Sequence, residues 1–382
     1  MGVAEDIEKD LSVQEQGLVP NDVQSPSESS SPASITHDAN KRPECFSSTF
    51  QECLFVLTCT MAIGTSSFTI GATTPITARI GEDLHMTNAE VSWINGSCAL
   101  GAGAFLMLFA RVADLFGRRS MFIVSMGVFS VVIMGVGFSR TPLEMDVLMG
   151  FTGLMTAASV PPAQGILGVV YNHSSRRKNA VFACFSAGNP LGFVIGMISS
   201  GVATEVLSWR ASFFWIAIIY ACFTVIAIFI VPNDPTEKQA LTWETLKNFD
   251  IPGVLLIVAG IAMFSSGLSL GGNAREGWKT PYVIALLVVG IACLAAFVVW
   301  ECYCERPLIP MSIFKDRNFS LLLLILLFGF MGFTTSSFWV SLYLQRVWHS
   351  SALKTAVYLL PMAVSGTLVN VSLTGSESQT KC

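Results

Sequence analysis

The chain has 382 residues, of which 52% are hydrophobic and only 13% charged. Soluble domains carry about 25% charged residues, so this sequence has too few charges to cover a water-soluble globule of its size, and its natural solvent is lipid. A net charge of -4 excludes the basic footprint of a nucleic-acid-binding protein. The composition predicts an all-α polytopic membrane protein whose first partner is the lipid bilayer.

Residues 1–49 are rich in Ser, Pro, Glu, Gln and Asp and nearly free of aromatic side chains. Such a segment buries too little surface to fold and reads as a disordered cytoplasmic tail. Ser25-Pro26 and Ser31-Pro32 are phosphorylation candidates in it, although an inert tail is the favoured reading. Long apolar runs and short polar connections follow. A bilayer-spanning helix needs about 20 mostly apolar residues. By that rule ten are expected, at 54–76, 91–110, 120–138, 147–171, 180–203, 212–232, 252–271, 281–300, 319–344 and 353–373. No aspartate, glutamate, lysine or arginine lies well inside any of these segments. Residues 374–382 turn polar again.

With the N-terminus in the cytoplasm, fourteen Lys or Arg near membrane ends fall on the inner side against seven on the outer side. The positive-inside rule favours that orientation, and an even helix count places both termini inside. The Asn-x-Ser sequons at Asn95, Asn172, Asn318 and Asn370 then lie within helices or on the cytoplasmic side, where no glycan is expected. The ten cysteines sit mostly in apolar runs with no Cys-x-x-Cys pair, so they read as small buried hydrophobes with no metal or disulfide role. No nucleophile–base, metal-ligand or phosphate-loop pattern appears. Neither an enzyme nor a cofactor is expected, and there are no catalytic residues to assign.

The most informative stretch is Ala110-Arg111-Val112-Ala113-Asp114-Leu115-Phe116-Gly117-Arg118-Arg119. It reads as a tight charged turn between the second and third helices, with Gly117 permitting the reversal and Asp114 able to accept from arginine or backbone N–H groups. It resembles motif A of the major facilitator superfamily, G-x-L-A-D-R-x-G-R-K. Ala113, Asp114, Gly117 and Arg118 match, Arg119 stands for Lys, Ala110 for Gly and Leu115 for Arg. The resemblance implies that Asp114, Gly117, Arg118 and Arg119 form a cytoplasmic gate, with Asp114 engaging a helix of the C-terminal half.

In the fifth helix, Gly192 and Gly196 make a small-xxx-small pair suited to close helix packing, and the stretch to Gly201 resembles the superfamily's antiporter motif, with Met197 in place of Pro. Together with Ser208-Trp209-Arg210, Asp250-Ile251-Pro252-Gly253 and Glu305-Arg306-Pro307, it looks most like the fungal fourteen-helix drug:proton antiporters of the aminotriazole-resistance type. That resemblance implies an N-terminal six-helix bundle at 50–232, a linker with two extra spanning helices at 233–310 and the first two helices of a C-terminal bundle at 311–373. It also implies export of small, mostly apolar toxic or secondary-metabolite compounds in exchange for protons, in the plasma or vacuolar membrane. The family's acidic residue of the first helix is replaced by Ser66, and its helix-4 arginine by Met149. Ten helices of an expected fourteen suggest a C-terminally truncated chain. The alternative function is then a transport-inactive membrane protein that associates with a full-length relative.

Polar residues at mid-depth are costly in lipid and usually face a bundle interior. The candidate substrate contacts are Asn95, Gln164, Asn189, Thr335 and Trp339, with Ser97, Thr334, Ser336 and Ser337 as neighbours. Gln164 and Asn189 are expected beside helix breaks at Pro161-Pro162 and Pro190. Thr87-x-x-Glu90 reads as a capping box.

Overall fold

The computed structural model describes residues 42–43, 45–173, 175–232, 250–272, 274, 276–304, 311–362 and 364–365. Residues 1–41 and 44 of the expected tail, the polar end at 374–382 and the last part of the tenth helix lie outside them. The described residues form helices α1 (Thr49–Thr73), α2 (Thr77–Asp83), α3 (Asn88–Phe116), α4 (Arg118–Gly137), α5 (Pro142–Val170), α6 (Arg176–Val206) and α7 (Trp209–Ile230). These are followed by α8 (Ile251–Gly271), α9 (Pro281–Tyr303), α10 (Arg317–Arg346) and the shorter α11 (Ala352–Met362). Among the described residues, nine helices are long and apolar enough to cross a membrane.

The helices start where side chains can satisfy their first N–H groups. Thr87 with Glu90, and Thr141 with Glu144, form complete capping boxes before α3 and α5, as the first of these spacings predicted. Ser48, Ser175 and Asp250 cap α1, α6 and α8. Because Thr141 caps α5, that helix begins earlier than the expected 147, and it carries Asp146 in its second turn. Asp146 precedes the expected segment and lies near the helix end, so it adds a charge at the edge of the span and not well inside it. Asp146 is only partly buried, yet its Oδ1 is shielded from solvent and accepts no hydrogen bond. Glu52 and Glu301 are likewise helical and buried.

Glycines set how the helices pair. α1 lies along α6, α3 along α5, and α4 against both α5 and α7. A Cβ on Gly153 would collide with the Cys98 carbonyl, and one on Gly101 with the Gly150 carbonyl, so α3 and α5 approach backbone to backbone. Close approach through small residues is the usual solution in lipid, where no hydrophobic effect drives helices together. The larger side chains fill the space between α1, α4, α5, α6 and α7. There Phe55, Phe122, Phe129, Phe213 and Tyr220 are fully buried, and Tyr220 donates to the Met61 carbonyl at 3.1 Å. Phe46, inside the segment expected to be a tail, is also buried and stacks on Phe55 at 5.0 Å.

α8 and α9 form a hairpin that rests on α3. α10 and α11 meet the first six spanning helices along a narrow seam: α10 touches α2 and the turn before it, Phe333 of α10 packs edge-on against Phe193 of α6 at 5.6 Å, and α11 meets Gly201 of α6 through Ala352, Leu353 and Ala356. Along α10, the residues from Leu321 to Phe330 are all exposed. An exterior of Leu, Ile and Phe is what hydrocarbon requires and water forbids.

Two expected helix breaks are absent, and one that was not expected is present. α5 runs through Pro161 and Pro162, and α6 through Pro190, without interruption. Membrane helices tolerate proline where neighbouring groups satisfy the freed carbonyls. α1, read as continuous from 54 to 76, instead gives way to a 3-10 turn over Thr74–Ile76 before α2. The cause is visible in its composition. Thr58, Thr60, Thr65, Thr69, Thr74 and Thr77 each donate a hydroxyl hydrogen bond to a carbonyl three or four residues back. Such back-bonding hides hydroxyls from lipid but weakens and bends a helix, and Pro75 then removes one N–H from the ladder.

Candidate functional site: a charged hinge and a polar α1

The charged stretch is more helical than its sequence suggested. α3 continues through Arg111 and Asp114 to Phe116, and the reversal is confined to Gly117. Its φ of 103° lies in the region only glycine occupies cheaply, and α4 starts at the next residue. Arg118 donates from Nε at 3.0 Å and from a terminal nitrogen at 2.9 Å to one oxygen of Asp114. The Arg118 stem crosses Gly165 of α5, where any Cβ would meet its Cδ at 2.7 Å. Arg119 donates to the Ile228 carbonyl in the last turn of α7 at 2.8 Å. A cation there meets both an orphan carbonyl and the negative end of the helix dipole. One glycine turn thus ties α3, α4, α5 and α7 together.

Asp114 and Arg118 stand at the wrong helix ends. A carboxylate in the last turn of α3 and a guanidinium in the first turn of α4 each oppose the local dipole, and their pairing cancels the two penalties. Side-chain exposure is 53% for Asp114 and 22% for Arg118, so the aspartate keeps an open face. The same end of the bundle holds a deeper cluster that the sequence reading missed. Glu52, in the first turn of α1, accepts from Arg177 of α6 at 2.8 and 2.7 Å and from the Tyr171 hydroxyl at 2.8 Å. Burial, and then the bond to Glu52, push the Tyr171 phenol above its ordinary pKa, so it stays a proton donor.

At the opposite end of α1, Asp83 accepts from Trp209 Nε1 at 3.0 Å and from Arg210 at 2.8 Å. Arg210 lies over the Trp209 ring, 4.2 Å from its centroid, and reaches the Ser139 carbonyl. The Ser208-Trp209-Arg210 run therefore ties the end of α2 to the loops before α5 and α7.

Between these ends, α1 presents polar groups to its neighbours. Asn189 of α6 accepts from the Ser67 hydroxyl, and Asn95 of α3 accepts from Thr73 at 2.5 Å. Two of the five candidate contacts are thus joined through α1, by residues of which sequence reasoning had singled out neither. The signal was there in the density of Ser and Thr from Thr58 to Thr77. Gln164 is exposed on α5, and Thr335 and Trp339 are exposed on α10, so these three are not gathered with the asparagines. Ser97 is buried with an unpartnered hydroxyl.

The glycines of α6 divide between two partners. Gly192 faces Gly64 and Phe68 of α1, and Gly196 lies against the Phe68 carbonyl with Ala72 N 3.1 Å from its Cβ position. Gly201 meets α11 instead, with Leu353 Cα at 3.1 Å. Among the described residues no group of three or more His, Cys, Asp or Glu is placed to hold a metal ion.

A helical bundle with this hinge and these glycine contacts invites comparison with known sequences. The profile of the Major Facilitator Superfamily matches residues 56–376. The chain belongs to that superfamily. It is a multi-pass integral membrane protein, and its relatives include proteins named as an efflux pump and as resistance proteins. The efflux pump terJ of Aspergillus terreus is 27% identical over 85% of this chain and 62% of its own. The low affinity ammonium transporter of Saccharomyces cerevisiae is 29% identical, covering 75% of this chain and 56% of the relative. The aminotriazole resistance protein of the same yeast is 25% identical, covering 79% and 56%. The chain thus spans roughly three-fifths of the length of the curated relatives it matches.

Proposed function

We propose that the protein exports small, mostly apolar compounds by alternating access, with Asp114, Gly117, Arg118 and Arg119 as the gate at its cytoplasmic end. The observation that carries this reading is the Asp114–Arg118 pair. Two charges at unfavourable helix ends, one of them half exposed, contribute little to a static fold; an exposed pair is worth about 0–1 kcal/mol. They suit a contact that exchanges partners as the bundle opens and closes. The efflux and resistance relatives support export, while the ammonium transporter among them sets small cations as the competing substrate class. Exchange for protons belongs to the same proposal, as does a plasma-membrane location.

Asp114→Ala is expected to lower drug efflux from cells at least tenfold at normal surface expression. Efflux equal to wild type would reduce the hinge to a turn. Proton exchange is read in liposomes, where an imposed pH gradient should accelerate drug flux and an ionophore abolish the effect.

The cytoplasmic placement of the gate rests on the skew of basic residues. Epitope tags at Met1 and Cys382 should therefore resist protease added to intact cells and be cut after permeabilisation. Cleavage of either tag from outside would overturn the ten-helix topology, and cleavage of the Met1 tag would overturn the orientation itself.

A further inference from the structure

In a continuous α-helix the N–H of Ala78 would donate to the carbonyl of Thr74, four residues back. Both groups lie at the 3-10 interruption between α1 and α2, and α10 reaches both. Gln345 accepts from Ala78 N–H through Oε1 at 3.1 Å and donates from Nε2 to Thr74 O at 3.1 Å. One carboxamide therefore stands between the two groups that would otherwise bond to each other. Ser341, one turn earlier and 1% exposed, donates its hydroxyl to the same Thr74 carbonyl at 2.6 Å and accepts from Gln345 Nε2 at 2.7 Å.

We propose that Gln345, supported by Ser341, is a latch that closes this end of the bundle by substituting for a hydrogen bond of the α1 ladder. Docked, α10 supplies both a donor and an acceptor and holds α1 interrupted. Undocked, the Thr74 carbonyl and the Ala78 N–H satisfy each other and α1 runs on into α2. Neither state leaves a buried backbone group unpaired, so the exchange avoids the main cost of moving helices within a bilayer. The threonine back-bonds and Pro75 loosen α1 at the same place, which keeps the two forms close in free energy. α1 also carries Ser67 and Thr73, the partners of Asn189 and Asn95. Latching α10 thus sets the order of the helix whose hydroxyls line up against α3 and α6. Gln345 and Ser341 act through the α1 backbone and are positioning residues.

This proposal rests on the alternating-access reading, and its test separates the two. Ala78→Cys, at a site 7% exposed in the latched form, supplies a reporter thiol that keeps the backbone N–H. The protein in lipid nanodiscs is treated with a charged maleimide, and modification is followed peptide by peptide. Gln345→Leu removes both bridging hydrogen bonds at near-constant volume and should raise the labelling rate of the reporter thiol on the order of eightfold, with about threefold for Ser341→Ala. Cys59 and Cys98, both fully buried, must stay unlabelled in a folded variant. If either reacts in Gln345→Leu, the Ser341→Ala arm decides. Labelling at the wild-type rate in the folded variants would overturn the latch. Faster labelling together with a wild-type protein that exports nothing would keep the latch and remove the export reading. Unchanged labelling with intact efflux would remove the latch alone.

Discussion

Gly196→Leu is expected to abolish recovery of monodisperse protein, and even Gly196→Ala is expected to lower its melting temperature in detergent by several degrees. A Cβ at Gly196 would fall against the Phe68 carbonyl, with Phe68 C and Ala72 N both at 3.1 Å. Every one of these is backbone, so no rotamer change relieves the clash; α1 and α6 must separate. Overpacking of this kind costs about 1–3 kcal/mol for a methyl group, and separating the helices also strains the Ser67–Asn189 bond. Gly192 is the internal control. Its nearest atoms are Gly64 Cα at 3.3 Å and Gly64 O at 3.4 Å, so Gly192→Ala should cost much less than Gly196→Ala. Gly201→Leu should spare the α1–α6 pair and disturb α11 alone. Fluorescence-detected size exclusion after a heating series reads all four variants. Equal behaviour of Gly192→Ala and Gly196→Ala would contradict the packing described.

How much of this was legible in the sequence depends on the range of the interaction. Helix existence and the pairing role of Gly192 and Gly196 follow from local composition, because lipid imposes long apolar runs and small residues at crossings. The Thr87 capping box is likewise local. The break in α1 is hard to see in advance, because no single threonine breaks a helix; the effect accumulates over several back-bonds and needs Pro75 to complete it. Pro161, Pro162 and Pro190 mislead in the opposite direction, since each suggests a break although the surrounding helices support an unbroken α5 and α6. The hinge motif was visible residue by residue, but the reach of Arg119 to the Ile228 carbonyl joins residues 109 apart in sequence. Nor does any spacing rule link Gln345 to Ala78, or Glu52 to Arg177. Of the five candidate contacts, Asn95 and Asn189 are hydrogen-bonded to α1. Their partners Ser67 and Thr73 escape notice because small hydroxyls carry little weight one at a time.

The Glu52–Arg177 pair carries the second large effect. The Glu52 side chain is 6% exposed and that of Arg177 28%, so the carboxylate is nearly out of water and depends on its partners. Arg177→Ala leaves it with the Tyr171 hydroxyl as its remaining side-chain donor among the bonds described above. Stranding a buried charge costs about 3–5 kcal/mol, and the lower figure applies here because the guanidinium keeps part of its surface in solvent. Glu52→Gln should cost less, since a carboxamide still accepts from Tyr171 and from Arg177 while removing the buried charge. The double variant Glu52→Gln with Arg177→Ala should be more stable than Arg177→Ala alone, because the stranded charge is gone. That ordering distinguishes an uncompensated charge from simple loss of packing, in which the two substitutions would add. Melting temperatures of the three variants in one detergent test it. A double variant less stable than Arg177→Ala would show that the hydrogen bonds Glu52 still makes matter more than the charge it is left with.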